Sequence, residues 1–245
     1  MGTNFGGKTD IGLKRTTNQD YFKLFELEGG IDLMVVCDGM GGAAGGCEAS
    51  SLAAETFAEY VKGHIFGESK NKYPELLEAA LEKANKAVCD KAKTDRSLEG
   101  MGTTLVCAVY DGESYYCLWV GDSRIYAITK SGLCQLSHDH SFVQTLVDSG
   151  SITDEEAKNH PNRNIITKAV GIEKTLSADL CKVSAKEFCG LMLCSDGLCG
   201  YVDEQEIAET IKKKPDADEC CEELVSKANK AGGQDNITVV IHRKQ

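Results

Sequence analysis

The sequence predicts an α+β fold in which two mainly antiparallel sheets pack together and helix pairs cover their outer faces. Three observations carry that expectation. Apolar patterning runs in the order strand, two helices, several consecutive strands, two helices and a last strand, which is not the alternation of a doubly wound parallel sheet. Asp111-Gly112 separates two apolar runs, a hairpin signal that sets neighbouring strands antiparallel. Finally, no Pro/Ser-rich linker, low-complexity tract or internal repeat interrupts the 245 residues, so one domain spanning 1–245 is expected.

In chain order, a glycine-bearing opening leads to a strand over Tyr21–Leu27. Leu33–Cys37 is a short, unbroken apolar run of the length and β-branched content of a buried strand. It ends in Asp38-Gly39-Met40-Gly41-Gly42, and from Glu48 the spacing of Leu52, Phe57, Tyr60, Val61 and Ile65 is helical. A second helix opens at Tyr73-Pro74, with proline in the first turn. Strands follow at Leu105–Tyr110, Tyr115–Val120 and Arg124–Thr129. Residues 137–171 change character to short helices and polar loops, with a capping box at Thr153–Glu156. We read this segment as a mobile flap over the site, with solvated histidines. A strand at Leu191–Cys194, a helix capped by Asp203, a helix near Asp218–Lys230 and a strand at Ile237–His242 complete the pattern.

Four aspartates stand at the ends of apolar strands, each with a glycine within a few residues: Asp38, Asp122, Asp196 and Asp235. Any one of them reads equally well as a turn residue. Together they would repel one another unless cations held them. Carboxylates and carbonyls without His or Cys suit hard ions such as Mg²⁺ or Mn²⁺. Arg15 is a candidate phosphate clamp, because guanidinium pairs with phosphate oxygens bidentately.

Several function classes are excluded. A net charge of −11 and pI near 5 argue against a nucleic-acid partner. No apolar run approaches the roughly 20 residues of a membrane span. The opening Met-Gly-Thr-Asn-Phe-Gly is close to a myristoylation signal but has Gly6 where Ser or Thr is required. Twelve cysteines with no C-x-x-C pair and no signal peptide predict free thiols in a reducing cytoplasm. Gly39–Ala44 fits a dinucleotide fingerprint, but helix follows where a second parallel strand is needed.

The sequence resembles the metal-dependent protein phosphatase family (PPM, type 2C), bacterial branch, over nearly its whole length. The motifs are Asp-x-Gly-x-x-Arg-x-x-Asn-x-Asp at 10–20, Asp-Gly-Met-Gly-Gly at 38–42 and Gly-Thr-Thr at 102–104. They continue with Gly-Asp-Ser-Arg at 121–124, Asp-His-Ser at 139–141, Ser-Asp-Gly-Leu at 195–198 and Gly-Gly-x-Asp-Asn at 232–236. The resemblance implies a four-layer αββα sandwich with a flap subdomain at about 137–171. It implies two Mn²⁺ or Mg²⁺ ions, with a third in bacterial members. Asp38, Asp196 and Asp235 would hold the first ion. Asp38 and the Gly39 carbonyl would take the second, and Asp122 with Asp196 the third. Asp20 would fix metal-bound waters and Arg15 the substrate phosphate. The implied activity is hydrolysis of phosphoserine and phosphothreonine in proteins by in-line attack of a metal-bridging hydroxide. The implied partners are phosphoproteins made by a Ser/Thr kinase, met by a cytoplasmic monomer in bacterial signalling.

Two positions depart from the pattern: Gln19 replaces the usual Glu, and Ala43 stands where bacterial members carry a leaving-group histidine. A metal-bound water or a flap histidine, His140 or His160, would have to substitute. Both departures favour an alternative, a pseudophosphatase that only binds phosphoproteins. The intact carboxylates speak against it.

Overall fold

The computed structural model describes residues 3–244, with the side chains of Thr3, Asn4 and Ala43 outside that description; the lipidation question at Met1-Gly2 lies outside it too. The chain opens with β1 (Thr3–Asp10), β2 (Asp20–Leu27) and β3 (Ile31–Met40), then α1 (Gly42–His64) and α2 (Tyr73–Thr94). Strands β4 (Gly102–Thr103), β5 (Leu105–Tyr110), β6 (Ser114–Val120), β7 (Arg124–Ile128) and β8 (Leu133–Gln135) follow. The flap carries α3 (Phe142–Asp148) and α4 (Asp154–Lys158). Next come β9 (Asp179–Ser184), β10 (Gly190–Cys194), the one-turn α5 (Asp196–Cys199), α6 (Glu204–Lys213), α7 (Ala217–Lys230) and β11 (Ile237–Lys244).

The strands form two antiparallel sheets. One has the order β1-β11-β10-β7-β8, and the other β2-β3-β5-β6-β9 with β4 paired to β3. The run at Leu33 is unbroken because β3 is buried on both faces. Leu33, Val35 and Cys37 pack under α1 and α2, whereas Met34 and Val36 face the other sheet. A third apolar layer joins β10 and β11 to α6 and α7 through Met192, Cys194, Val239, Ile241, Leu224 and Cys220. Four layers therefore enclose three cores, the αββα arrangement. Each large side chain buried in them contributes roughly 1.5–3 kcal/mol.

Local signals held where capping chemistry fixed them. Thr153 and Glu156 close a reciprocal capping box on α4. Asp203 caps α6 by accepting from the Gln205 amide, while Glu206 turns away to Lys227.

Four strands escaped the sequence, the two-residue β4 among them. β1 contains Gly6 and Gly7, poor strand formers. A Cβ at Gly6 would lie 2.2 Å from Asp218 of α7, and one at Gly7 2.6 Å from the Phe22 ring. These glycines let a helix and the second sheet press onto β1. β8 is three residues long, and β9 is a half-exposed edge strand, so neither shows a clear apolar period.

The helix after the glycine loop also begins earlier than expected, at Gly42 rather than Glu48. Gly41, at φ 111°, turns the chain, and its missing Cβ leaves room for Met101. Gly39 has no room for a side chain, since a Cβ there would meet the Gly46 carbonyl at 2.0 Å. Strand and helix thus touch backbone to backbone beside Asp38.

Among the described residues no helix is long and apolar enough to cross a membrane.

Candidate active site

Register brings the aspartates to one end of the sandwich. Asp20 opens β2 directly opposite Asp38 at the end of β3. Val120, the last residue of β6, pairs with Leu105, and Gly121-Asp122 follows it. On the other sheet Cys194 pairs with Val239, so Asp196 emerges beside Asp235, which precedes β11. A cleft of about 390 Å³ between the sheet ends is lined by Asp38, Gly39, Asp122, Asp196 and Asp235, with Arg15, Gln19, Thr104, Asn164, Ile166 and Asn236. Six of the seven sequence-selected residues thus line one cleft. Asp20, the seventh, is buried behind Asp38.

The electrostatics are those of crowded acids. Burial first, then repulsion from Asp20, Asp196, Asp122 and Asp235, pushes Asp38 well above the usual carboxylate range. Asp122 is pushed up by burial and then by Asp196 and Asp139. Burial and Asp235 raise Asp196 to about 6. Asp20 rises to about 7, mainly by burial, although hydrogen bonds from Ser195 and Thr238 oppose the shift. Arg15 answers this charge by donating from Nη2 to Asp235 Oδ2 at 2.7 Å.

Two buried carboxylate oxygens, Asp20 Oδ1 and Asp196 Oδ1, have no hydrogen-bond donor. An all-oxygen, strongly negative basin with unsatisfied acceptors fits hard divalent cations. Among the described residues no three His, Cys, Asp or Glu side chains are drawn tightly enough to chelate one ion as they stand. The Arg15 pairing holds one of them, Asp235, in a salt bridge. The cleft is a basin for cations rather than a closed cage.

A shell of neutral polar groups holds the acids, and apart from Gln19 none of them is singled out by the sequence. Thr104 Oγ1 accepts from the Asp38 amide, and Thr103 Oγ1 donates to the Asp38 carbonyl. Ser195 Oγ donates to Asp20 Oδ2 at 2.7 Å and accepts from the Thr238 amide. Asn236 donates to the carbonyls of Ile11 and Thr17 and accepts from the Gln19 amide, stapling the loop that carries Arg15. Gln19 Nε2 donates to the Gly42 carbonyl at 2.6 Å. The only available signal was adjacency: each sits within two residues of a motif aspartate or inside a quoted motif.

The flap histidines need correction. His140 is not solvated; it is buried, and its Nδ1 accepts from the Gly121 amide. Its own amide donates to the Gly121 carbonyl. Burial, then nearby Lys168, lowers its pKa. It fixes the turn before Asp122 instead of offering a proton to the cleft. His160 is half-exposed and accepts from the Asn162 amide. Neither ring lines the cleft. From the flap it is Asn164 and Ile166 that reach it.

Comparison with known proteins gives a consistent result. The sequence profile of protein phosphatase 2C matches residues 13–240. A serine/threonine phosphatase, Stp, from Listeria welshimeri is 36% identical, over 96% of this chain and 93% of that protein. The crystal structure of the serine/threonine phosphatase Stp1 from Staphylococcus aureus superposes with a TM-score of 0.91 at 33% identity, covering 100% of this chain and 96% of that one. The catalytic domain of a serine/threonine protein phosphatase, PstP, solved with two manganese ions, gives a TM-score of 0.84 at 33% identity over 98% and 97% of the two chains.

Proposed function

The chain belongs to the protein phosphatase 2C family of serine/threonine phosphatases, and from that premise we propose that its acidic cleft hydrolyses phosphoserine and phosphothreonine esters in proteins. The observation that carries this reading is the convergence of Asp38, Asp122, Asp196 and Asp235 on one cleft that holds a single arginine, Arg15. Carboxylates alone repel a phosphate dianion, so the cleft works on phosphate only when loaded with cations.

Mn²⁺ or Mg²⁺, when bound, neutralises phosphoryl oxygens and supplies a water acidic enough to attack phosphorus. Asp38, Asp196 and Asp235 would hold the first ion, and Asp38 with the Gly39 carbonyl the second. Asp122 and Asp196 would hold a third. Asp20, buried behind Asp38 with its Oδ1 unpaired, would accept from a metal-bound water. Arg15 is half-exposed, which lets it exchange Asp235 for two phosphoryl oxygens of the substrate. The same exchange frees Asp235 for a cation, so phosphate binding and ion loading favour one another. A water so activated would attack phosphorus in line with the serine or threonine oxygen, the bond from phosphorus to that oxygen would break, and the leaving oxygen would take its proton from water in the cleft.

The partners we assign are phosphoproteins produced by a Ser/Thr kinase. The net charge of −11 gives a nucleic acid no basic face. We place the enzyme in the cytoplasm as a monomer and read 1–245 as one catalytic domain, with the flap at 137–171. Free thiols, six of the twelve buried, are compatible with that compartment.

A peptide panel tests the substrate class. With Mn²⁺, phosphoserine and phosphothreonine peptides should release phosphate, and matched phosphotyrosine peptides should be poor substrates. Equal or better turnover of phosphotyrosine would overturn the assignment.

A further inference from the structure

The strand that brings the chain back from the flap carries a feature that the cleft does not use. β9 lies at the edge of its sheet, paired only with β6, and its Cys181 stands directly opposite Cys117 of β6. Residues directly opposite in an antiparallel pair have Cα atoms about 4.5–5.5 Å apart. That is within the roughly 4.4–6.8 Å that a disulfide spans. Both side chains belong to the layer between the sheets, Cys117 fully buried and Cys181 partly accessible. A hydrogen bond with Cys117 holds Cys181 below the usual thiol range, which makes the accessible sulfur the better nucleophile. Neither thiol lines the cleft.

We propose that Cys117 and Cys181 form a reversible oxidation site, closed to a disulfide by an oxidant of the hydroperoxide class, that fixes the edge strand anchoring the flap. The Cys181 sulfur attacks a peroxide oxygen, the O–O bond breaks, and one water leaves as Cys181 becomes a sulfenic acid. The Cys117 sulfur then displaces that hydroxyl as a second water, and the S–S bond forms. Two thiols lose two electrons and two protons, and one hydrogen peroxide takes up both to give two waters.

The topology gives this bond leverage. It closes the segment between residues 117 and 181, which contains the Asp122 turn and the entire flap. Asp179, two residues before Cys181, faces two groups at the base of the flap: its Oδ1 is 3.6 Å from Lys168 Nζ and its Oδ2 3.5 Å from His140 Nε2. An edge strand held from one side frays easily. A covalent tie to β6 holds Asp179, and with it the base of the flap, in register.

The test uses the full chain, fully reduced and then treated with hydrogen peroxide. Remaining thiols are alkylated and tryptic peptides are mapped without reduction, with fragmentation to separate Cys117 from Cys107. The expected result is a Cys117–Cys181 link, reversed by dithiothreitol and absent in Cys181→Ser. Amide exchange over residues 168–184 should slow in the oxidised protein and recover on reduction. In Cys117→Ala, Cys181 should persist as a sulfenic acid that dimedone traps. Three outcomes overturn the proposal: Cys181 is over-oxidised or stays free in the wild type; a link forms between the neighbouring Cys194 and Cys199 instead; or the link forms without changing exchange over 168–184.

Discussion

Arg15 and Asp235 are joined at 2.7 Å across 220 residues of sequence, the proposed phosphate clamp resting on a proposed metal ligand. The pair is partly exposed, so its value to the fold is small. In the proposed mechanism its value is as a switch, because a phosphate dianion and a divalent cation would each break it to their own advantage.

Arg15→Ala should therefore have two opposed effects. Loss of charged hydrogen bonds to phosphate, worth about 1.5–3 kcal/mol, should raise KM for phosphopeptides about ten- to hundredfold. The Mn²⁺ concentration giving half-maximal activity should fall, because Asp235 is no longer engaged. An unchanged KM would remove Arg15 from the phosphate site.

The raised carboxylates set a pH dependence. Asp196 titrates near 6 and Asp20 near 7 in the folded chain, against the ordinary 3.8. The folded state therefore binds more protons than the unfolded state between about pH 4 and 7, and stability from these groups is lost as pH rises through that window. In chelator, the Tm of Asp196→Asn relative to wild type should climb from pH 4 to pH 7. Added Mn²⁺ at pH 8 should raise the wild-type Tm more than that of the variant. A flat difference would show that burial and the neighbouring acids do not raise Asp196 in the folded protein.

Asn236→Ala would leave two carbonyls and the Gln19 amide without their partner. A loss of about 2–4 kcal/mol in denaturant unfolding is expected. A raised KM should accompany it, because the loop bearing Arg15 is released. Unfolding at the wild-type denaturant midpoint would contradict this role.

Much of this architecture was legible in the sequence because burial leaves a mark. β3 is buried on both faces and reads as a continuous apolar run that stops at Asp38. The same contrast marked Asp122 and Asp196, each following an apolar strand, and Asp235, which precedes β11. β1 was not legible because its glycines serve partners distant in sequence, Asp218 and Phe22. His140 was misread for a related reason. A histidine in a polar loop looks solvated until the turn it binds, Gly121, is brought to it by the fold. Thr104, Ser195 and Asn236 were visible as letters, but their donors and acceptors come from strands and a loop distant in sequence.

With no histidine lining the cleft among the described residues, leaving-group protonation is where added chemistry should show. Ala43→His, in the first turn of α1, should raise turnover of phosphopeptides; a well-placed general acid supplies about 10²–10⁴ in rate. No increase would show that protonation does not limit the reaction.

The decisive experiment measures hydrolysis of a phosphothreonine peptide and of p-nitrophenyl phosphate, with Mn²⁺ and with chelator, by the wild type and by Asp235→Asn. Turnover should require Mn²⁺, vanish in chelator and be lost in the variant while its fold is retained. Turnover that survives chelator or the substitution would contradict a metal-loaded aspartate cleft, as would a folded wild type inactive at every Mn²⁺ concentration.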